Sequence, residues 1–379
     1  DFGKAIENYS NAISLQKDNP KIYNKLADSY VEKNDHKNAI DNYQKSLALN
    51  SKDAEIHFKL AESYFAVKDL DKAAESYKKT IELAPKNDLA YHNLGRVFYQ
   101  KEQFKNAIES FNQAININSN RAMSYYLTGK SYAKLEKFEK AIDNYLNAIK
   151  LDTNKVEFYN DIGFAYKKTN QLKNAIQNFQ KSIDINKDDK TIFHALAQCY
   201  EKTGEYNNGI KHYKNVVRLD EKYSQDWKNL GKLYAIIEDY ENSIKNYEKY
   251  IDLNNEDAGA FSKLADSYFK KKNFDKAIEN YRKSIDIEWD NAKVHQKLGD
   301  TYFANKSLEK AIESYLNSLK IDDKKPHTFH NLAKCYYEIG DFEKAISNFK
   351  NAIALDNENS VIHKHLGNAY FEIQKFEKA

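Results

Sequence analysis

Two histidine pairs, His327/His330 and His363/His365, flank Cys335 near the end of the chain. Imidazole and thiolate are ligand types that zinc prefers, but a zinc site needs three or four of them converging. Cys335 is the one thiol near enough in sequence to join them; Cys199 is the other cysteine. No metal site is expected from so sparse a set. The sequence also lacks a glycine-rich phosphate loop, GxSxG, HExxH and CxxC, the patterns that place a nucleophile, a phosphate cradle or a redox thiol. Catalytic residues, cofactors and metals are therefore all expected to be absent, and the segment is read as a non-enzyme. Lys+Arg 59 against Asp+Glu 56 leaves a net charge of +3, too balanced for a nucleic-acid surface. No apolar run approaches the roughly 18 residues of a membrane span. What remains is a large population of Lys, Asp, Glu and Asn at regular intervals, read as solvated helix faces.

Those intervals come from a repeat. AIESFNQAINI at 107–117 returns as AIENYRKSIDI at 277–287 and AIESYLNSLKI at 311–321. Its first residue recurs at Ala5, Ala39, Ala73, Ala107, Ala141, Ala175, Gly209, Ser243, Ala277, Ala311, Ala345 and Ala379, every step being 34 residues. Between these copies stands a second string, as in YNKLADSY at 23–30, HFKLAESY at 57–64 and HQKLGDTY at 295–302. Aromatic, Leu, small and aromatic residues at spacings of three, four and seven share one face of a helix. Each period thus encodes two amphipathic helices. Gly or Ala after the Leu, as in Leu94-Gly95 and Leu196-Ala197, and Ala at the head of the second helix let the two backbones approach. Tyr132 and Tyr145 are the kind of ring that fills the space beside these notches. Lys33-Asn34-Asp35, Thr203-Gly204-Glu205 and Ile339-Gly340-Asp341 read as the turns between helices.

A 34-residue helix-turn-helix unit with this skeleton resembles the tetratricopeptide repeat (TPR). The resemblance spans the chain and implies an all-α fold, an α-solenoid in which antiparallel helix pairs build a right-handed superhelix. In the family's frame residues 1–379 form a single array. It comprises a partial repeat 1–19, full repeats 20–53, 54–87, 88–121, 122–155, 156–189, 190–223, 224–257, 258–291, 292–325 and 326–359, and a partial repeat 360–379. The chain opens on Asp1 inside a repeat and closes on Ala379 at the first turn of a second helix, so a fragment of a longer protein is expected, with apolar faces such as Leu366, Tyr370 and Phe376 left open at its cut end. The family often carries Pro near the end of the second helix, but only Pro85 stands there; a looser turn between repeats is expected. Cys199 and Cys335 both fall at the tenth repeat position, four repeats apart. They are read as buried free thiols suited to a reducing compartment.

Family members use positions 2, 5, 6, 9, 12 and 13 of the first helix to line the inner wall, so the resemblance points to a groove that binds partner peptides or helices. O-GlcNAc transferases hold a peptide backbone with a ladder of Asn at position 6; here Asn93, Asn229 and Asn331 match and the ladder is broken. Chaperone-binding members clamp a carboxylate, starting from Lys at position 5 and Asn at position 9, which Lys364 and Asn368 match. His330, Lys334 and His365 occupy positions that converge on a ligand in such clamps. This wall is expected to bind an acidic segment or chain terminus, more tightly as the histidines protonate near pH 6.5.

One stretch departs from the pattern. Gly209 and Ser243 replace the notch Ala, Val216 and Tyr250 replace the small residue seven positions on, and Trp227 heads the helix between them. Tyr250 is expected to push helices apart or turn outward. The stretch reads either as tolerated drift or as a local change of pitch or contact site, and as a weak joint that Gly209→Ala would stabilise. The leading function is a non-enzymatic protein-protein interaction scaffold within a large multi-subunit complex, cytoplasmic or, given abundant Lys, Asn, Ile and Tyr that suggest an AT-rich source, in a ciliary or microtubule-associated assembly. The alternative is a substrate-recognition arm of an O-GlcNAc-transferase-like glycosyltransferase whose catalytic domain lies elsewhere.

Overall fold

The structure, a computed structural model, describes the backbone of residues 1–378 and the side chains of residues 1–374. Ala379 and the side chain of Phe376, both named above, lie outside the described residues. Among those described there are 22 helices and no strand, and no helix is long and apolar enough to cross a membrane. Contacts divide the chain into two units, Asp1–Ile192 and Phe193–Ala379. Within each unit a helix packs chiefly on the helices before and after it in sequence, the pattern of an α-solenoid.

The period is visible in the backbone. First helices such as Ala122–Lys134 and Ala258–Lys270 have 13 residues, and second helices such as Phe138–Leu151 and Phe274–Ile287 have 14. Between them one residue takes a left-handed conformation: Asn34, Lys68, Glu102, Glu136 and Asn170 in the first unit, Gly204, Glu238, Lys272, Lys306 and Gly340 in the second. The amide after it reaches back to the first helix, as Lys137 N–H does to the Tyr132 carbonyl at 2.9 Å and Asp341 N–H to the Tyr336 carbonyl at 2.9 Å. This closes the carbonyls orphaned at the helix end. The final helix differs. Ser360–Lys378 runs on without this turn.

Notches and rings interlock as the sequence suggests. A Cβ on Gly95 would lie 2.6 Å from the Phe111 ring, and one on Gly129 2.7 Å from the Tyr145 ring. Both distances are well inside contact, so these rings lie directly on backbone.

The turn between repeats is not loose, although Pro is scarce there. The ring at repeat position 4 bonds the backbone carbonyl at position 32 of the repeat before it. His57 does so to Ser51 at 3.1 Å, Tyr159 to Thr153 at 3.2 Å, Trp227 to Glu221 at 2.9 Å, His295 to Trp289 at 2.9 Å and His363 to Asn357 at 3.0 Å. A ring donor pins each of these turns from outside, so Trp227 is a variant of a recurring device rather than an anomaly.

The irregular stretch is also better adjusted than its letters imply. A Cβ on Gly209 would come 3.0 Å from Cδ1 of Leu233, and Leu233 is fully buried. Other repeats hold Ala at the notch and a smaller residue at position 10 of the next, such as Ser63, Val97, Ser131 or Thr301. Gly209 and Leu233 exchange that volume between them. The expected gain from Gly209→Ala is therefore offset by crowding against Leu233. Ser243 donates to the Gly231 carbonyl at 2.8 Å and bonds the Ser267 hydroxyl at 2.9 Å, which satisfies it inside the core. Tyr250 neither turns outward nor lacks a partner: it is buried, and its hydroxyl donates to Asp257 at 2.7 Å. Asp257 caps the next helix and also takes Lys228 at 2.6 Å. Burial raises its carboxyl, but these bonds outweigh burial and hold it below the usual range.

Candidate functional site

The first helices place repeat positions 5, 6, 9, 12 and 13 on a common face, and these positions knit neighbouring first helices together. In the second unit Tyr281 donates to Asp266 at 2.6 Å, and Lys297 of the next repeat donates to the same carboxylate at 2.6 Å. Tyr315, Asp300 and Asn331 repeat the arrangement at 2.7 and 2.8 Å. The first unit shows it at Tyr43, Asp28 and Lys59, at 2.7 and 3.1 Å. A tyrosine from the second helix, a carboxylate at position 9 and a donor at position 6 of the following repeat thus form a recurring triplet. A second pattern sets a cation over the position-12 ring of the repeat before, Arg96 over Phe65 at 4.8 Å and Lys334 over Phe303 at 4.7 Å. Contacts of this kind are favourable by about 0.5–1 kcal/mol at exposed sites.

Between adjacent first helices the same face opens into troughs. One, of about 420 Å³, is lined by Lys130, Ala133, Lys134, Tyr145, Asp161 and Phe164, with Tyr99, Phe138, Ala165 and Lys168 around them. A second, of about 290 Å³, is lined by Asp266, Phe269, Lys270, Tyr281, Lys297 and Asp300. A third, of about 180 Å³, is lined by Lys334, Tyr337, Glu338, Phe349, His365 and Asn368. All three are built from repeat positions 9, 12, 13 and 24 and from positions 6 and 9 of the following repeat.

The residues singled out in the sequence are distributed unevenly over this face. Lys334, His365 and Asn368 meet in the third trough. Lys364 is exposed on the same helix but does not line it. His330 sits beside the trough, with Nε2 2.8 Å from Nδ1 of His365. Asn331 is turned aside to Asp300 and lies 3.1 Å from His327. Asn93 is buried and accepts from Arg96 at 3.2 Å, while Asn229 donates to Asp226 at 2.8 Å. The three asparagines therefore do not form a ladder of open amides. Among the described residues no three His, Cys, Asp or Glu side chains gather as metal ligands. Both cysteines are buried and neither forms a disulfide among the described residues, and burial pushes the Cys335 thiol up to about 12.

The expected titration near pH 6.5 needs correction. Burial, followed by the neighbouring His365, Lys334 and His327, lowers His330 to about 4. Burial and the charges of Lys334 and Lys364 lower His365 as well. Both shifts favour the neutral ring and weigh against protonation near pH 6.5 as the driver of anion binding here. Glu338 in the same trough adds a negative charge that an acidic ligand would meet.

Reading positions 6, 9 and 12 alone misses a buried polar series. Position 3 is apolar in most repeats, but Ser124, Asp226 and Thr328 are polar there and fully buried. Each is partnered by position 5 of the preceding repeat: His92 to Ser124 at 2.8 Å, His194 to Asp226 at 2.8 Å, and Thr328 to Gln296 at 3.3 Å. Comparing columns 3 and 5 together would have revealed it.

A family model described as TPR repeat matches residues 1–33, 27–68, 129–170, 265–306, 299–340 and 334–374, together more than half of the chain. Models described as tetratricopeptide repeat match 52–120, 156–189, 191–223 and 227–257. No curated protein matches the chain. Among solved structures it is similar to YrrB, a TPR protein with an unusual peptide-binding site, at 22% identity over 48% of this chain and 94% of that one, with a TM-score of 0.45. It is similar to MamA protein at 28% identity over 45% and 92%, with a TM-score of 0.43. The APC/C hetero-tetramer Cut9-Hcn1 is similar at 14% identity over 97% and 93%, with a TM-score of 0.42.

Proposed function

The chain belongs to the tetratricopeptide repeat family, and from that premise we propose that it is a non-enzymatic scaffold holding protein partners against its first helices. One observation carries the reading: three troughs built from the same six repeat positions, each shallow and each bounded by aromatic and charged side chains. Within the second unit two such equivalent shallow sites recur at the same repeat positions, which suits an extended partner that engages both at once, because linked weak contacts add through effective concentration. The residues proposed for contact are those lining the troughs, with Lys334, His365 and Asn368 among them and Lys364 and His330 at their margin. The occupied asparagines give no support to the recognition arm of a glycosyltransferase. A ciliary or microtubule-associated setting is the finer part of the proposal, and imaging of the tagged chain in its source cell tests it.

Crosslinking mass spectrometry on the whole chain with its co-purified partner tests the main reading. Crosslinks from Lys130, Lys134, Lys168, Lys270 and Lys334 are expected. Crosslinks confined to second-helix lysines such as Lys45 and Lys283 would overturn it.

A further inference from the structure

The troughs differ in what fills position 12. Phe269 and Tyr337 occupy the smaller two, whereas Ala133 leaves the largest one open in the middle. Position 9 of the following repeat, Asp300 and Asn368 in those two, is Phe164 here. The floor is thereby apolar, with Phe164 set edge-on to Phe179 at 5.1 Å and Tyr99 edge-on to Phe104 at 5.5 Å.

The rim is cationic. Lys130, Lys134 and Lys168 line the trough together, and Lys134 and Lys168 form no ion pair among the described residues. Its one acid, Asp161, already accepts the Tyr126 hydroxyl at 2.7 Å and lies 3.9 Å from Lys130. Tyr145 supplies a further observation. In the triplets described above the equivalent tyrosine donates to a carboxylate at position 9, but position 9 is Lys130 here. The Tyr145 side chain is 2% exposed, and its hydroxyl has no hydrogen-bond partner among the described residues. A hydroxyl donor that opens onto the trough, beside three lysines and a single carboxylate, is placed to meet an anionic group of a partner.

We propose that the trough at Ala133 anchors a partner segment by one apolar side chain, seated over Ala133 and Phe164, whose flanking carboxylates meet Lys130, Lys134, Lys168 and the Tyr145 hydroxyl. This rests on the scaffold reading and names the chemistry of its partner: a short acidic stretch interrupted by a Leu- or Phe-like residue. Charge complementarity selects acidic over basic partners, while the unfilled position 12 sets the need for the apolar residue.

The test uses the whole chain and three fluorescent dodecapeptides, read by anisotropy. One carries a central Leu among Asp and Glu, one replaces the acids by Lys, and one replaces the Leu by Ser. The acidic Leu peptide is expected to bind at least about tenfold more tightly than the other two, and more weakly as salt rises. Ala133→Phe should weaken it by about tenfold or more by filling the trough. An aromatic stands at this position in other repeats, so this variant has good reason to fold. Lys130→Gln with Lys168→Gln should weaken it by a similar factor and flatten the salt dependence, whereas Lys45→Gln, on a second helix away from the troughs, should leave it unchanged. Binding that survives Ala133→Phe and the lysine pair but falls with Lys334→Gln overturns the inference and leaves the scaffold reading intact. No binding by any of the three peptides also overturns it; the scaffold reading then stands or falls on its own crosslinks.

Discussion

The trough at Ala133 in the first unit and the trough at Lys334 in the second are lined by the same repeat positions, yet they offer different things to a partner. Around Lys334 the polar groups have largely been taken up by neighbours. Lys334 lies over Phe303, His330 is bonded to His365, and Asn331 is bonded to Asp300. Around Ala133 the lysines outnumber the acids, and Tyr145 lacks the position-9 carboxylate that Tyr43, Tyr281 and Tyr315 have. Residue type at a groove position is therefore a poor guide by itself. What a repeat presents depends on the residue one period away that does or does not satisfy it.

The largest effect that would sharpen this contrast concerns position 9. Asp300 accepts from Tyr315, which is 1% exposed, and from Asn331. Asp300→Ala strands the tyrosine hydroxyl in the core, a loss expected at about 1–3 kcal/mol. Lys130 holds the same position, but Tyr145 already stands without an acceptor, so Lys130→Ala should cost no more than about 0.5 kcal/mol. Hydrogen exchange resolved along the chain measures both locally, which matters where two units need not unfold together. Equal destabilisation by the two variants would remove the distinction between a satisfied and an unsatisfied repeat.

Most of the fold was legible because the period is strict. Apolar spacing, small notches and one turn per period each repeat at 34 residues, so errors in reading one copy are corrected by the others. The site was less legible, for a physical reason. Gly209 looks like a defect until Leu233, 24 residues on, is seen to fill the space it leaves. Asp226 looks like a charge on an apolar face until His194 is placed against it. Ala133 reads as a good helix former, and only the arrangement of Phe164, Tyr145 and three lysines around it shows that it makes a hole. Each case couples two neighbouring repeats, a relation that no single repeat position carries.

Acid should separate the two units next. Burial lowers His92 in the first unit to about 4; in the second it lowers His212 and His330 to about 4 and lowers His365 as well. A histidine depressed in the folded state binds its proton in the unfolded chain first. Stability is then full above the ordinary value of 6.5 and is lost as pH falls towards about 4. The second unit carries more such groups, so its protected amides should open further than those of the first between these limits. His212 adds weight because its Nδ1 is buried without a partner, leaving no acceptor to receive an added proton. Exchange rates corrected for intrinsic pH dependence, compared with those of His212→Phe, give the measure. Equal acid loss in both units would show that carboxylates, not these histidines, control it.

The smallest effect isolates a single charge. Lys334 is a secondary cause, after burial, of the low values of His330 and His365. Lys334→Met keeps the length of the side chain and removes the charge. Its contact with Phe303 is then weakened, at a cost of about 0.5–1 kcal/mol. Both imidazoles should titrate at higher pH than in the parent, though still below the ordinary range, since burial persists. His92 in the first unit is the internal reference. Its shift comes from burial and then Arg121 and Arg96, so the same substitution at Lys130 or at Lys334 should leave it where it is. Imidazole proton resonances followed through a pH series report all three rings in one sample. Should His365 stay fixed while stability falls, Lys334 acts through packing on Phe303 alone, and its ammonium is left to face a partner much as the lysines around Ala133 do.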